Sequence, residues 1–142
     1  MKQYFNINKT ISCLNNNARP KSTGYCAKYI RLALNAGGFA IKPSGDAKNY
    51  GKILENLGFR VLIEWNGCGF SEDSINDYIP SKADIVVLQP YTGTNAAGHI
   101  AMYNGSCWVS DFKQIDMWGG KGYRNNKPPY VVYRWGVSHP GT

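Results

Sequence analysis

The sequence predicts an α+β fold in which helices come first and an antiparallel sheet follows. Three observations predict it. Apolar residues recur at helical spacing in 24–36 and in Asp46–Leu57, each run followed by glycine. Short runs rich in β-branched and aromatic residues then dominate 84–135. Two of those runs flank Asn104-Gly105, a hairpin turn pair, so neighbouring strands run antiparallel.

Taken in order, residues 1–21 read as an irregular lead-in with a short strand or turn, rich in asparagine (Asn15, Asn16, Asn17) and closing near Pro20. The first helix, 24–36, carries Cys26, Ile30, Ala33 and Leu34 on a broad buried face, with Ser22 or Thr23 as cap and Gly37-Gly38 as stop. Ala47, Tyr50, Ile53, Leu54 and Leu57 make the second helix, ended by Gly58. Phe59–Glu64 reads as a strand, and Ser71–Tyr78 as a short acidic helix before Pro80. Asp84–Gln89, Gly98–Tyr103, Cys107–Phe112 and Tyr130–Trp135 are the later strands. Met117–Pro129 is a long loop bearing Trp118, Tyr123 and Arg124, which are candidates to line a cleft.

A chain of 142 residues suits a single domain over 1–142. Hydrophobic residues make up 43% and charged residues 18%, which excludes a disordered chain. No run of about eighteen apolar residues occurs, so no membrane insertion is expected. The first residues lack an apolar signal core, which implies cytoplasmic action or export without a cleaved signal. The net charge of +7 suits an anionic partner such as the acidic bacterial wall. The basic residues never form a block, and no zinc-finger, RRM or arginine-rich pattern appears, which argues against nucleic acid. Of the four cysteines, Cys13, Cys26, Cys68 and Cys107, no pair has C-x-x-C spacing, so neither a metal nor a cofactor is expected. At most one disulfide can form among the other three if Cys26 is a free nucleophile.

Cys26 is the candidate nucleophile. At a helix start it faces unpaired backbone N–H groups and the positive end of the helix dipole, which favour thiolate. Such a thiol needs a base and a group to orient the base. His99, after Gly98 at a strand start, is the candidate base. A three-residue loop, Asn104–Ser106, pairs His99 with Asp111, whose carboxylate can then hold the imidazole. A two-residue loop pairs His99 with Ser110 instead. Gln114 is the alternative orienter. His139, near the C-terminus, reads as inert.

The segments Gly24-Tyr25-Cys26-Ala27-x-Tyr29-Ile30-Arg31-x-Ala33-Leu34 and Gly98–Gly105 resemble those of the NlpC/P60 and CHAP cysteine peptidases. Asp84–Pro90 and Trp108–Phe112 resemble neighbouring stretches of that group, so the likeness spans about residues 22–135. The resemblance implies a papain-like fold and cleavage of peptidoglycan stem peptides by a Cys26–His99–Asp111 triad. It implies an oxyanion site at the Cys26 amide with Ser22 or Tyr25. It extends to the type VI secretion amidase effectors, which implies secretion without a signal peptide, action in a rival's periplasm and a cognate immunity protein. A phage or housekeeping wall hydrolase and a non-catalytic wall-binding module are the alternative readings.

Overall fold

The computed structural model describes residues 4–43, 45–67 and 77–136. Helices α1 (Ile7–Asn17), α2 (Cys26–Ala36) and α3 (Tyr50–Leu57, preceded by a 3₁₀ turn at Ala47–Asn49) come first. Strands β1 (Phe59–Trp65), β2 (Ile85–Leu88), β3 (His99–Tyr103), β4 (Trp108–Val109) and β5 (Tyr130–Trp135) follow, with a short helix α4 (Lys121–Asn126) before β5. The α+β arrangement is therefore the expected one. The acidic helix expected over Ser71–Tyr78, together with Cys68 and His139, falls outside the described residues or largely so.

The lead-in departs from expectation, because it forms helix α1. The Asn6 side chain accepts from the Lys9 amide at 3.0 Å and caps it. Thr10, Ile11 and Leu14 form its buried face. That face lies on α2 at close range: Thr10 Oγ1 donates to the Ala33 carbonyl at 2.8 Å, and a Cβ on Gly37 would collide with Thr10. The loop 117–129 also contains structure that was not expected, the six residues of α4.

The sheet order is β1-β5-β2-β3-β4, and the paired strands are antiparallel. The last strand is thus inserted between β1 and β2. All four residues of β2 are buried, because both sheet faces are covered. Ile85 and Val87 share a core with Ile30, Leu34, Tyr50 and Leu54 of the helices. Val86 and Leu88 point the other way, onto Trp65, Trp108, Met117 and Tyr130. Phe5, Phe39, Phe59 and Trp135 close one end of the helical side, with ring centroids 5.0–6.4 Å apart.

The β3–β4 turn spans four residues. Asn104 N donates to the Cys107 carbonyl at 2.9 Å, and Asn104 Oδ1 accepts from the amides of Ser106 and Cys107. Met102 therefore pairs with Val109, one step beyond the register that would set Asp111 against His99. β4 ends after two residues, where Ser110 N donates to the Phe112 carbonyl. The chain then reverses, so that Gln114 runs back beside Trp108.

Candidate active site

Helix α2 and strand β3 bring the two ends of the sequence pattern together. Cys26 is the first residue of α2, and Tyr25 before it provides no side-chain cap. Ser22 and Thr23, expected to cap the helix, turn their hydroxyls to Asp111 instead. Gly24, at φ +84°, takes the left-handed conformation that lets the chain enter the helix there. The Cys26 sulfur receives the backbone amide of Ile100, the residue that follows His99. The candidate nucleophile thus lies against the residue next to the candidate base, although 73 positions separate the two candidates in sequence.

Burial pushes the Cys26 thiol up, against the amides of Ile100 and Ala27, and the negative charge of Asp111 pushes the same way. This corrects the expectation of a resting thiolate. A sulfur lodged between a helix and a strand loses more by desolvation than the first helical turn returns. Burial likewise pushes the His99 imidazole down, although Gln114 and Asp111 both favour its charged form. Both shifts favour the uncharged forms, thiol and imidazole.

Gln114 orients the imidazole. His99 Nε2 lies 2.7 Å from Gln114 Oε1, and Gln114 Nε2 donates to the Asp116 carbonyl at 2.9 Å. A carbonyl can only accept, so the amide nitrogen must face Asp116 and the amide oxygen must face His99. Nε2 then carries the proton of the neutral ring, and Nδ1 is left as the basic nitrogen. Gly119 fits closely against this pair: at φ +87°, a Cβ there would lie 2.7 Å from His99 Nε2. The Tyr123 ring lies 5.7 Å from the imidazole at 35°, and Tyr91 meets Tyr123 edge-on at 4.9 Å.

Asp111 does something other than orient the base. Its Oδ2 accepts from the Thr23 amide, from the Thr23 hydroxyl at 2.8 Å and from the Tyr25 amide at 3.4 Å. Its Oδ1 accepts from Ser110 Oγ at 3.0 Å. Burial would raise this carboxyl, but the Thr23 and Ser110 donors outweigh it and hold the carboxyl below the usual range. The reason lies in the register: the four-residue turn and the bend at Ser110–Phe112 aim the carboxylate at the loop before Cys26. Asp111 thus fixes the nucleophile loop, and its charge reaches Cys26 and His99 only through space.

The remaining candidates divide. Tyr123 stands at the imidazole. Arg124 is paired to Asp116 at 2.6 Å, and Trp118 packs edge-on against Tyr130 at 5.4 Å. Asp116 also accepts from the Trp118 and Gly119 amides, so it shapes the turn that sets Gly119 against His99. Tyr25 is 62% exposed, on the outer side of the nucleophile loop. The sequence reading missed Gly119 and Asp116. A glycine pair, Gly119-Gly120, three residues after an aspartate was the available signal. Cys13 and Cys107 are free, and among the described residues no group of three His, Cys, Asp or Glu could hold a metal. No described helix is long and apolar enough to cross a membrane.

No protein-family profile matches the chain, and no curated protein does. The chain is similar to chains of two solved structures, the selenomethionine and native forms of the type VI effector–immunity complex Tae3–Tai3 from Ralstonia pickettii. The first is 36% identical over 88% of this chain and 98% of that one, with a TM-score of 0.73. The second is 35% identical over 94% of this chain and 100% of that one, also with a TM-score of 0.73.

Proposed function

The chain belongs to the Tae3 family of type VI effectors, and on that premise we propose that it is an antibacterial amidase that cleaves peptidoglycan stem peptides. Residues 1–142 form one catalytic domain. It acts in the periplasm of a target cell and is neutralised in the producing cell by a cognate immunity protein. The resemblance of its Cys26 and His99 segments to the NlpC/P60 and CHAP peptidases supports the chemistry. The observation that carries the reading is that the Ile100 amide, next to a buried His99 whose proton Gln114 holds on Nε2, meets the Cys26 sulfur at the start of α2.

The mechanism follows from that arrangement. His99 Nδ1 takes the proton as the Cys26 sulfur attacks the amide carbon and the S–C bond forms. The Cys26 amide, in the first turn of α2 where no helical acceptor exists, stabilises the oxyanion. The C–N bond then breaks and His99 returns the proton to the leaving amine. Water, deprotonated by the same nitrogen, hydrolyses the thioester. Gln114 stabilises the imidazolium, and Asp111 acts by holding the loop.

Incubation of purified muropeptides with the protein, followed by mass spectrometry, tests this and identifies the bond cut. Cys26→Ala removes the nucleophile alone, so cleavage should vanish while circular dichroism and the melting temperature stay close to wild type. Undiminished cleavage by that variant would overturn the reading.

A further inference from the structure

We propose that an open trough beside the nucleophile loop is a subsite for the carboxylate groups of the substrate. The inference rests on the peptidoglycan reading above and deepens it. The trough, of about 750 Å³, is bounded by residues 19–23 and by the flank of α2 that carries Tyr25, Lys28 and Tyr29. A second hollow of about 330 Å³ continues it toward the end of α1 and shares Arg19, Lys28 and Tyr29 with it. Three cations, Arg19, Lys21 and Lys28, line the two hollows, and among the described residues no Asp or Glu does.

Two of these cations have aromatic partners. Lys28 Nζ lies 5.9 Å from the centre of the Tyr25 ring, and Arg19 Nε lies 3.5 Å from the Tyr29 hydroxyl. The Arg19 amide donates to the Asp111 carbonyl at 2.8 Å, so the residue that fixes the nucleophile loop also fixes the trough wall. The Asp111 carboxylate itself is buried and occupied by Thr23, Tyr25 and Ser110, so it does not fill the trough with a counter-charge. An anionic group therefore meets uncompensated positive charge within a few residues of Cys26, with tyrosine faces beside it. A stem peptide made of glutamate and a diamino diacid presents free carboxylates within one or two residues of each amide. That chemistry matches the trough, whereas Arg124, beside the aromatic wall around His99, is already paired to Asp116.

The test compares a muropeptide with free carboxylates against the same muropeptide with its carboxylates converted to carboxamides. Lys21→Glu/Lys28→Glu should raise KM about tenfold for the free form and less than about twofold for the amidated form, with kcat nearly constant. Lys21→Gln/Lys28→Gln should show the same selectivity with a smaller effect. Equal changes for both forms, or none, would overturn the subsite. Titration of the Cys26→Ala protein with the two muropeptides decides the matter without turnover: tighter binding of the free form supports the trough, and equal binding overturns it. A wild-type protein that cleaves neither muropeptide defeats the amidase reading instead, and the titration still decides the subsite. Unchanged muropeptide kinetics with weakened binding of the immunity protein would make the trough a protein interface and overturn the proposal.

Discussion

Gln114 decides the state of His99 by two bonds, one taken from the imidazole and one given to the Asp116 carbonyl. A neutral amide leaves the buried imidazole depressed, so the acid limb of kcat/KM falls below the ordinary histidine value of about 6.5. The raised thiol places the alkaline limb above about 8.5. Gln114→Glu introduces a negative charge beside the imidazolium, which favours the protonated form and raises the His99 pKa. The acid limb should therefore move to higher pH by about one unit or more. A pH–rate profile of the variant checks this, and an unmoved acid limb would show that residue 114 does not face the imidazole. Cys26 and His99 were legible as residues because a thiol at a helix start and a glycine–histidine strand start are local patterns. Gln114 stood only as the alternative to Asp111, because which of them meets His99 depends on turn length.

Asp111 works through the elements it joins. It ties the bend after β4 to the loop before α2, and that loop sets where the Cys26 sulfur stands. Its pKa is lowered in the folded protein, so its contribution is fully present above the unfolded value of about 3.9 and is lost as pH falls through the folded value. Asp111→Asn should cost about 1–3 kcal/mol at pH 7, since the buried Ser110 hydroxyl and the part-buried Thr23 and Tyr25 donors lose an ionised acceptor. The gap from wild type should close below about pH 3.9. Urea denaturation at pH 7 and near pH 3 checks this, and a cost independent of pH would show that the carboxylate charge is not what holds the loop. The elements themselves were largely readable: α2, α3, β1, β2, β3 and β5 stand where period and glycine stops put them, whereas the strand expected over Cys107–Phe112 shrinks to Trp108–Val109 because the chain bends at Ser110. Helix α1 escaped because Asn15–Asn17 are poor helix formers and its apolar stripe is narrow. Packing of Thr10 and Leu14 on α2 supplies what propensity lacks.

Across the whole molecule, β5 holds the sheet together between β1 and β2, and one buried charge anchors it. Asp84, fully buried, takes Arg134 Nε and Nη2 at 2.9 Å each, the Tyr78 hydroxyl at 2.6 Å and the Ser81 amide at 2.9 Å. Arg134→Ala leaves that carboxylate without its cation and should cost about 2–4 kcal/mol. Denaturant unfolding measures it, and a loss under about 0.5 kcal/mol would show that the pair is not structural. By itself the sequence determined the α+β class, the order of α2, α3 and the strands, and the candidates for nucleophile and base, because hydrophobic period, glycine stops and helix-start chemistry are written over a few adjacent residues. The tertiary structure alone decided the insertion of β5, the four-residue turn, the groups that surround Cys26 and His99, and which of Asp111 and Gln114 meets the imidazole. Each of those depends on which distant groups share a buried space, and desolvation and hydrogen-bond partners exist only once the chain has folded.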